Sequence, residues 1–153
     1  LAGVRPRHPL GMLHPTEALA RYEVLVRYAT AIDTGDHALL DEVFTPDAAI
    51  DFREAGGIAG GYAEVRAWLE GAMARFSILQ HFVSNLRILD PQGASTVCYV
   101  RAVHGYRAEG GPMRFFELGG EYRDAWRATP EGPRIARRVL AVRYFQGDVP
   151  KRG

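Results

Sequence analysis

The sequence predicts an α+β fold, with three N-terminal helices packed on one face of a curved antiparallel sheet. Two observations carry that prediction. Apolar residues recur at three-and-four spacing as far as Phe76, then change at Ile78 to strict alternation, so helices give way to strands. Turns at Pro91-Gln92-Gly93, Gly110-Gly111-Pro112 and Thr129 to Pro133 divide the alternating part into four successive strands, the order of a meander. Such a sheet curves over its helices as a cone, and the inside of a cone is a natural pocket.

Residues 1–15 mix Gly3, Pro6, Pro9, Gly11 and Pro15 with Arg5, Arg7, His8 and His14, which suits a flexible arm. The first helix is predicted over 17–33, with Thr16 as its cap, Gly35 at its end, and Tyr22, Leu25, Val26, Ala29 and Ile32 on its packed face. Asp36 caps a short second helix carrying Leu39, Leu40, Val43 and Phe44. A short strand follows over 48–53, and the glycines between Gly56 and Gly61 read as a turn, because no lysine follows at phosphate-loop spacing. The third helix spans 63–76, with Val65, Trp68, Leu69, Ala72, Met73 and Phe76 on one side.

The first long strand, Ile78 to Leu89, puts Leu79, His81 and Val83 on one face and passes an irregularity near Asn85. The second, over 95–107, aligns Cys98, Val100, Ala102 and His104. The third, over 114–127, aligns Phe116, Leu118, Gly120, Tyr122, Asp124 and Trp126, with Glu117, Glu121, Arg123 and Arg127 opposite. On the last, over 134–145, alternation groups Ile135, Val139, Ala141, Arg143 and Phe145. Residues 16–147 thus form a single domain and 148–153 a loose tail.

With 153 residues, 47% of them hydrophobic, the chain can close one core around one pocket. The net charge of +1 comes from scattered basic residues, which points to neither a nucleic-acid nor a membrane surface. A single cysteine, Cys98, permits no internal disulfide, and the expectation is a cytoplasmic protein. No histidines sit at metal-ligand spacing, so no metal is expected, and no serine sits in a nucleophile elbow.

Five polar residues occupy mainly apolar faces: Asp33 continues the helical stripe, Tyr28 lies beside it, and His81, His104 and Arg143 point inward from strands. A polar group left alone inside a protein costs about 1–3 kcal/mol, so these residues are expected to converge on one cavity. Each also has a structural explanation: a solvated helix end for Asp33, an apolar ring that alone justifies its place for Tyr28, satisfied core histidines for His81 and His104, and neutralisation of an acid for Arg143.

The segments from Tyr28 through Asp33 to Asp36, Leu40 to Asp47, and Gln80-His81-Phe82-Val83-Ser84-Asn85, with the terminal meander, resemble the nuclear transport factor two-like superfamily in its SnoaL-like branch. Within that branch the chain is most similar to the scytalone dehydratase and bile acid dehydratase types. The resemblance implies that Asp33 and His81 are a catalytic pair, that Tyr28 and His104 are further catalytic residues, and that Arg143 binds substrate. It departs where two tyrosines of the scytalone enzyme are replaced by Ile32 and Phe52, and its serine and asparagine by Gly120 and Tyr122, which favours a larger or less polar ligand.

The implied activity is a cofactor-independent, dehydratase-like elimination on a small hydrophobic carbonyl-containing or polycyclic substrate, in a homodimer or higher homo-oligomer formed through the outer sheet face. Phe52, Trp68, Met73, Phe76, Tyr122 and Trp126 are expected to wall the pocket against water. A polyketide-type cyclase or isomerase using the same pocket remains open, as does a non-catalytic ligand-binding or structural subunit.

Overall fold

The computed structural model describes residues 15–107 and 109–149. The arm expected over 1–15 therefore lies, but for Pro15, outside the described residues, as do the last four residues of the tail. Helix α1 (Pro15–Thr34) leads into a 3-10 turn (His37–Glu42), strand β1 (Phe44–Asp51), a second short turn (Arg53–Ala55) and strand β2 (Ala59–Gly61). Helix α2 (Tyr62–Met73) then precedes the long strands β3 (Ile78–Ile88), β4 (Ser95–Arg107), β5 (Met113–Thr129) and β6 (Gly132–Gly147). They form one open six-stranded sheet in the order β2-β1-β6-β5-β4-β3, so the α+β cone holds, although the sheet does not close on itself.

Several details depart from the sequence expectation. The second helix is a 3-10 turn, and Asp36 makes no side-chain capping bond. Strand β1 starts at Phe44 and pairs in parallel with β6, so the sheet is not wholly antiparallel. The β1–β6 ladder is interrupted between Phe44 and Ala49, where Pro46 needs no N–H to donate. Ala59–Gly61, part of the stretch read as a turn, is an edge strand on β1. The C-terminal tail is held at its start, since Asp148 donates its N–H to Phe115 and accepts from Tyr106 through its carbonyl.

Helix α1 buries Val24, Leu25, Tyr28, Ala29, Ala31 and Ile32. The packed face is rotated from the expected stripe: Tyr22 and Val26 are more than a third exposed and lean toward the edge strand β3, where the Tyr22 hydroxyl donates to the Val83 carbonyl. Asp33 sits on the border between the two faces. Gly35 then ends the helix at φ +74°, a conformation glycine adopts without steric cost.

Two bulges set the phase of β6. Trp126 faces Ile135 and Ala125 faces Arg137, so Ala136 is an extra residue; Gly120 faces Val142 and Gly119 faces Tyr144, so Arg143 is another. Each extra residue flips the alternation. Arg138, Leu140 and Val142 consequently face inward, and Arg143 turns out to the other face to meet Glu121 at 2.9 Å.

Arg138 is fully buried and lies directly opposite Asp124, forming two hydrogen bonds of 2.8 and 2.7 Å. Its guanidinium also sits 4.0 Å from the centre of the Tyr122 ring, 4.5 Å from Tyr28 and 5.6 Å from Phe44, so one cation joins β6, β5, α1 and β1. On the outer face, Phe82, Tyr99, Phe115 and Tyr144 stay exposed among the ion pairs of Glu117 with Arg101 and of Glu121 with Arg123 and Arg143. Arg127 pairs instead with Asp47.

Removing one member of a buried pair strands the other charge. Asp124→Ala is expected to cost about 3–5 kcal/mol in urea unfolding, whereas the apolar double replacement Asp124→Leu with Arg138→Met recovers most of that loss. Equal destabilisation by the single and double variants would contradict the pair's role.

Candidate active site

The cavity opens between α1, α2 and the inner face of β3 to β6, with a volume of about 110 Å³. Alternation delivers His81, His104 and Tyr122 to it from neighbouring strands, and Ala102, the residue paired with His81, leaves space beside that ring. Ile32, Phe52, Trp68, Met73 and Phe76 add the apolar wall. Tyr28 reaches it from the buried face of α1.

Asp33 lies behind the cavity and grips His81 twice. Its Oδ1 is 2.6 Å from His81 Nδ1, and its Oδ2 accepts the His81 backbone N–H at 2.9 Å. That N–H belongs to a strand that, among the described residues, is the sheet's edge, so the carboxylate caps that edge while fixing the ring. The carboxylate contact at Nδ1 suits the tautomer protonated there, in which Nε2 is the nitrogen without a proton.

His104 stacks on Phe116 with centroids 4.3 Å apart and an interplanar angle of 4°, and its ring centre is 5.7 Å from that of His81. Burial pushes its pKa down to about 4, so it stays neutral at physiological pH. Its Nδ1 is buried and makes no hydrogen bond among the described residues. Tyr28 stands edge-on to His81 at 6.5 Å, and burial raises its pKa, keeping the phenol protonated as a donor. Burial acts on Tyr122 in the same direction, and the two hydroxyls interact with each other.

Residues 18–139 match the SnoaL-like domain family, within the nuclear transport factor two-like superfamily. This chain belongs to that family. A relative in Mycobacterium tuberculosis, the uncharacterised protein Rv2910c, is 32% identical over 142 residues, covering 91% of this chain and 94% of the relative. Among solved structures of similar fold, Kfla4162 of Kribbella flavida is 24% identical with a TM-score of 0.75, covering 86% of this chain and 93% of its own. A scytalone dehydratase-like protein of Novosphingobium aromaticivorans is 18% identical with a TM-score of 0.71, covering 89% and 90%. The hexachlorocyclohexane dehydrochlorinase LinA-type3 of Novosphingobium barchaimii is 14% identical with a TM-score of 0.68, covering 89% and 96%.

In this SnoaL-like chain the expected residues divide clearly. Asp33, His81, Tyr28 and His104 come together, and Phe52, Trp68, Met73, Phe76 and Tyr122 line the cavity as expected. Two expected residues do not. Arg143 lies on the outer face because the bulge at Ala136 inverts the alternation of β6, and Trp126 belongs to the core at the far end of the sheet, its Nε1–H donating to Thr96 at 2.8 Å. Sequence reasoning missed Arg138, which periodicity placed on the outward face, and Arg75, which falls in the turn after α2 because that helix stops at Met73 rather than Phe76. Cys98 is buried with its thiol pushed up to about 12, so it is no nucleophile. No helix among the described residues is long and apolar enough to cross a membrane.

A histidine held neutral by the fold must take up a proton more readily once unfolded. Its folded pKa of about 4 lies below the ordinary 6.5, so the stability it contributes is complete above 6.5 and is lost as pH falls toward 4. Thermal unfolding of His104→Gln is expected to show a weaker acid dependence than the wild type across that window, by up to about 3 kcal/mol at its lower end. Parallel pH profiles for the two proteins would contradict the assignment.

Proposed function

We propose that this protein is a cofactor-independent acid–base enzyme that catalyses a dehydratase-like elimination on a small hydrophobic carbonyl compound. The observation that carries the proposal is the double hold of Asp33 on His81, which turns Nε2 of the imidazole toward an apolar cavity. A histidine held in one tautomer by a carboxylate is a general base with its geometry already fixed.

In this mechanism Nε2 of His81 removes a proton from the carbon next to the substrate carbonyl. The C–H electron pair becomes the new carbon–carbon double bond as the bond to the β-hydroxyl breaks. The imidazolium then returns its proton to that hydroxyl, which leaves as water, so the histidine ends as it began. Asp33 stabilises the imidazolium between the two steps. Charge developing on the carbonyl oxygen meets neutral donors, the Tyr28 phenol and His104, in a cavity walled by apolar rings, where such bonds are strongest. The superfamily resemblance and the fold shared with a dehydrochlorinase and a scytalone dehydratase-like protein support the reaction class.

The first half of the cycle can be tested without the natural substrate. In deuterium oxide, the wild type is expected to exchange the C2 protons of 1-tetralone faster than buffer does, as followed by NMR. Asp33→Asn and His81→Gln are each expected to slow that exchange on the order of 10²–10⁴-fold. Exchange that is unaffected by either replacement would sink the proposed mechanism.

A further inference from the structure

The cavity has a charge pattern that an uncharged substrate does not require. No carboxylate lines it; its polar lining consists of Tyr28, Tyr122, His81, His104 and a single cation, Arg75. Arg75 sits in the turn after α2, exposed at the mouth, with its guanidinium 5.1 Å from the centre of the Phe76 ring. It makes no ion pair and no hydrogen bond among the described residues, unlike the arginines of the outer face, which are held by Glu117 and Glu121. A second cation stands nearby: Arg114 is cross-strand from Tyr106 on the inner face, Tyr106 touches the Phe76 ring, and Arg114 likewise makes no ion pair among the described residues.

The spacing gives this cation a role. From His81 to the mouth the contacts run through His104 and then Phe76, with successive ring centres 5.7 and 5.0 Å apart, and Arg75 comes next. A ligand whose reacting carbon meets His81 Nε2 and whose ring lies along His104 and Phe76 would carry its far end to Arg75. A guanidinium recognises a carboxylate there through a charge-assisted, planar pair of hydrogen bonds.

We propose that Arg75 is a substrate-binding residue that selects ligands with an apolar, ring-sized body and a carboxylate at the end away from the reacting carbon. This deepens the acid–base reading of the same cavity and rests on it for the orientation of the ligand. Arg75 thereby takes the substrate-binding role that the family resemblance implied for Arg143 on β6. The low dielectric of the Phe76 ring on one side strengthens the pairing relative to a wholly solvated arginine.

Two probes of the same shape separate charge from fit: trans-cinnamate and its uncharged amide, cinnamamide, each titrated calorimetrically into the wild type and into Arg75→Gln. The wild type is expected to bind cinnamate about five- to tenfold more tightly than cinnamamide. Arg75→Gln is expected to abolish that preference while binding cinnamamide as the wild type does, and Arg75→Lys to restore part of it. Equal affinities for the two probes in the wild type, a preference that survives in Arg75→Gln, or absence of saturable binding by both probes would each overturn the proposal. Binding needs no proton transfer, so a charge preference lost with Arg75 alongside failed 1-tetralone exchange removes the catalytic reading and the ligand orientation drawn from it, and leaves Arg75 as the residue that selects a carboxylate. Exchange without a charge preference removes this one alone.

Discussion

The cross-strand pair of Arg138 and Asp124 is the constraint on which the rest of the interior depends. Burying a guanidinium and a carboxylate together is tolerable only when the geometry is very good, and here two short hydrogen bonds join residues in direct register. Burial alone would depress the Arg138 pKa; Asp124 more than offsets it, leaving Arg138 charged. That fixed cation then packs on the rings of Tyr122, Tyr28 and Phe44. Tyr28 and Tyr122 are cavity residues, so an ion pair that faces no ligand holds the floor on which a ligand would rest.

The Asp33–His81 contact is economical in a second way. β3 is the edge of an open sheet, and an edge N–H next to a cavity has to be satisfied by something other than a strand. One carboxylate supplies the acceptor for that N–H and, with its other oxygen, for the ring nitrogen of the same residue. The backbone bond fixes where Asp33 sits, and the ring bond uses that fixed position to orient the imidazole. The structural role and the proposed chemical one therefore fall on the same side chain.

Most of the fold was legible because periodicity reports burial directly. The inner faces of β4 and β5 follow simple alternation, and the irregularity near Asn85 is real: Asn85 has φ +55°, and the β3 register shifts between Ser84 and Arg87. Asp33, Tyr28, His81 and His104 were legible for the same reason. What failed was whatever depends on pairing rather than on pattern. The β6 bulges at Ala136 and Arg143 carry no residue signature, and each inverts the alternation, so Arg143 was read as inward and Arg138 was passed over. The parallel pairing of β1 with β6 is likewise a long-range choice that its own residues do not declare. Arg75 was hidden because apolar spacing continues through Phe76, beyond the point where the helix stops.

The most direct test of the central claim is the tautomer of the His81 ring, read from its nitrogen chemical shifts in a ¹⁵N–¹H correlation spectrum of labelled protein at neutral pH. The account predicts a ring protonated at Nδ1 with a free Nε2 in the wild type, and loss of that preference in Asp33→Ala. A His81 ring protonated at Nε2 in the wild type, or one indifferent to Asp33, would contradict it.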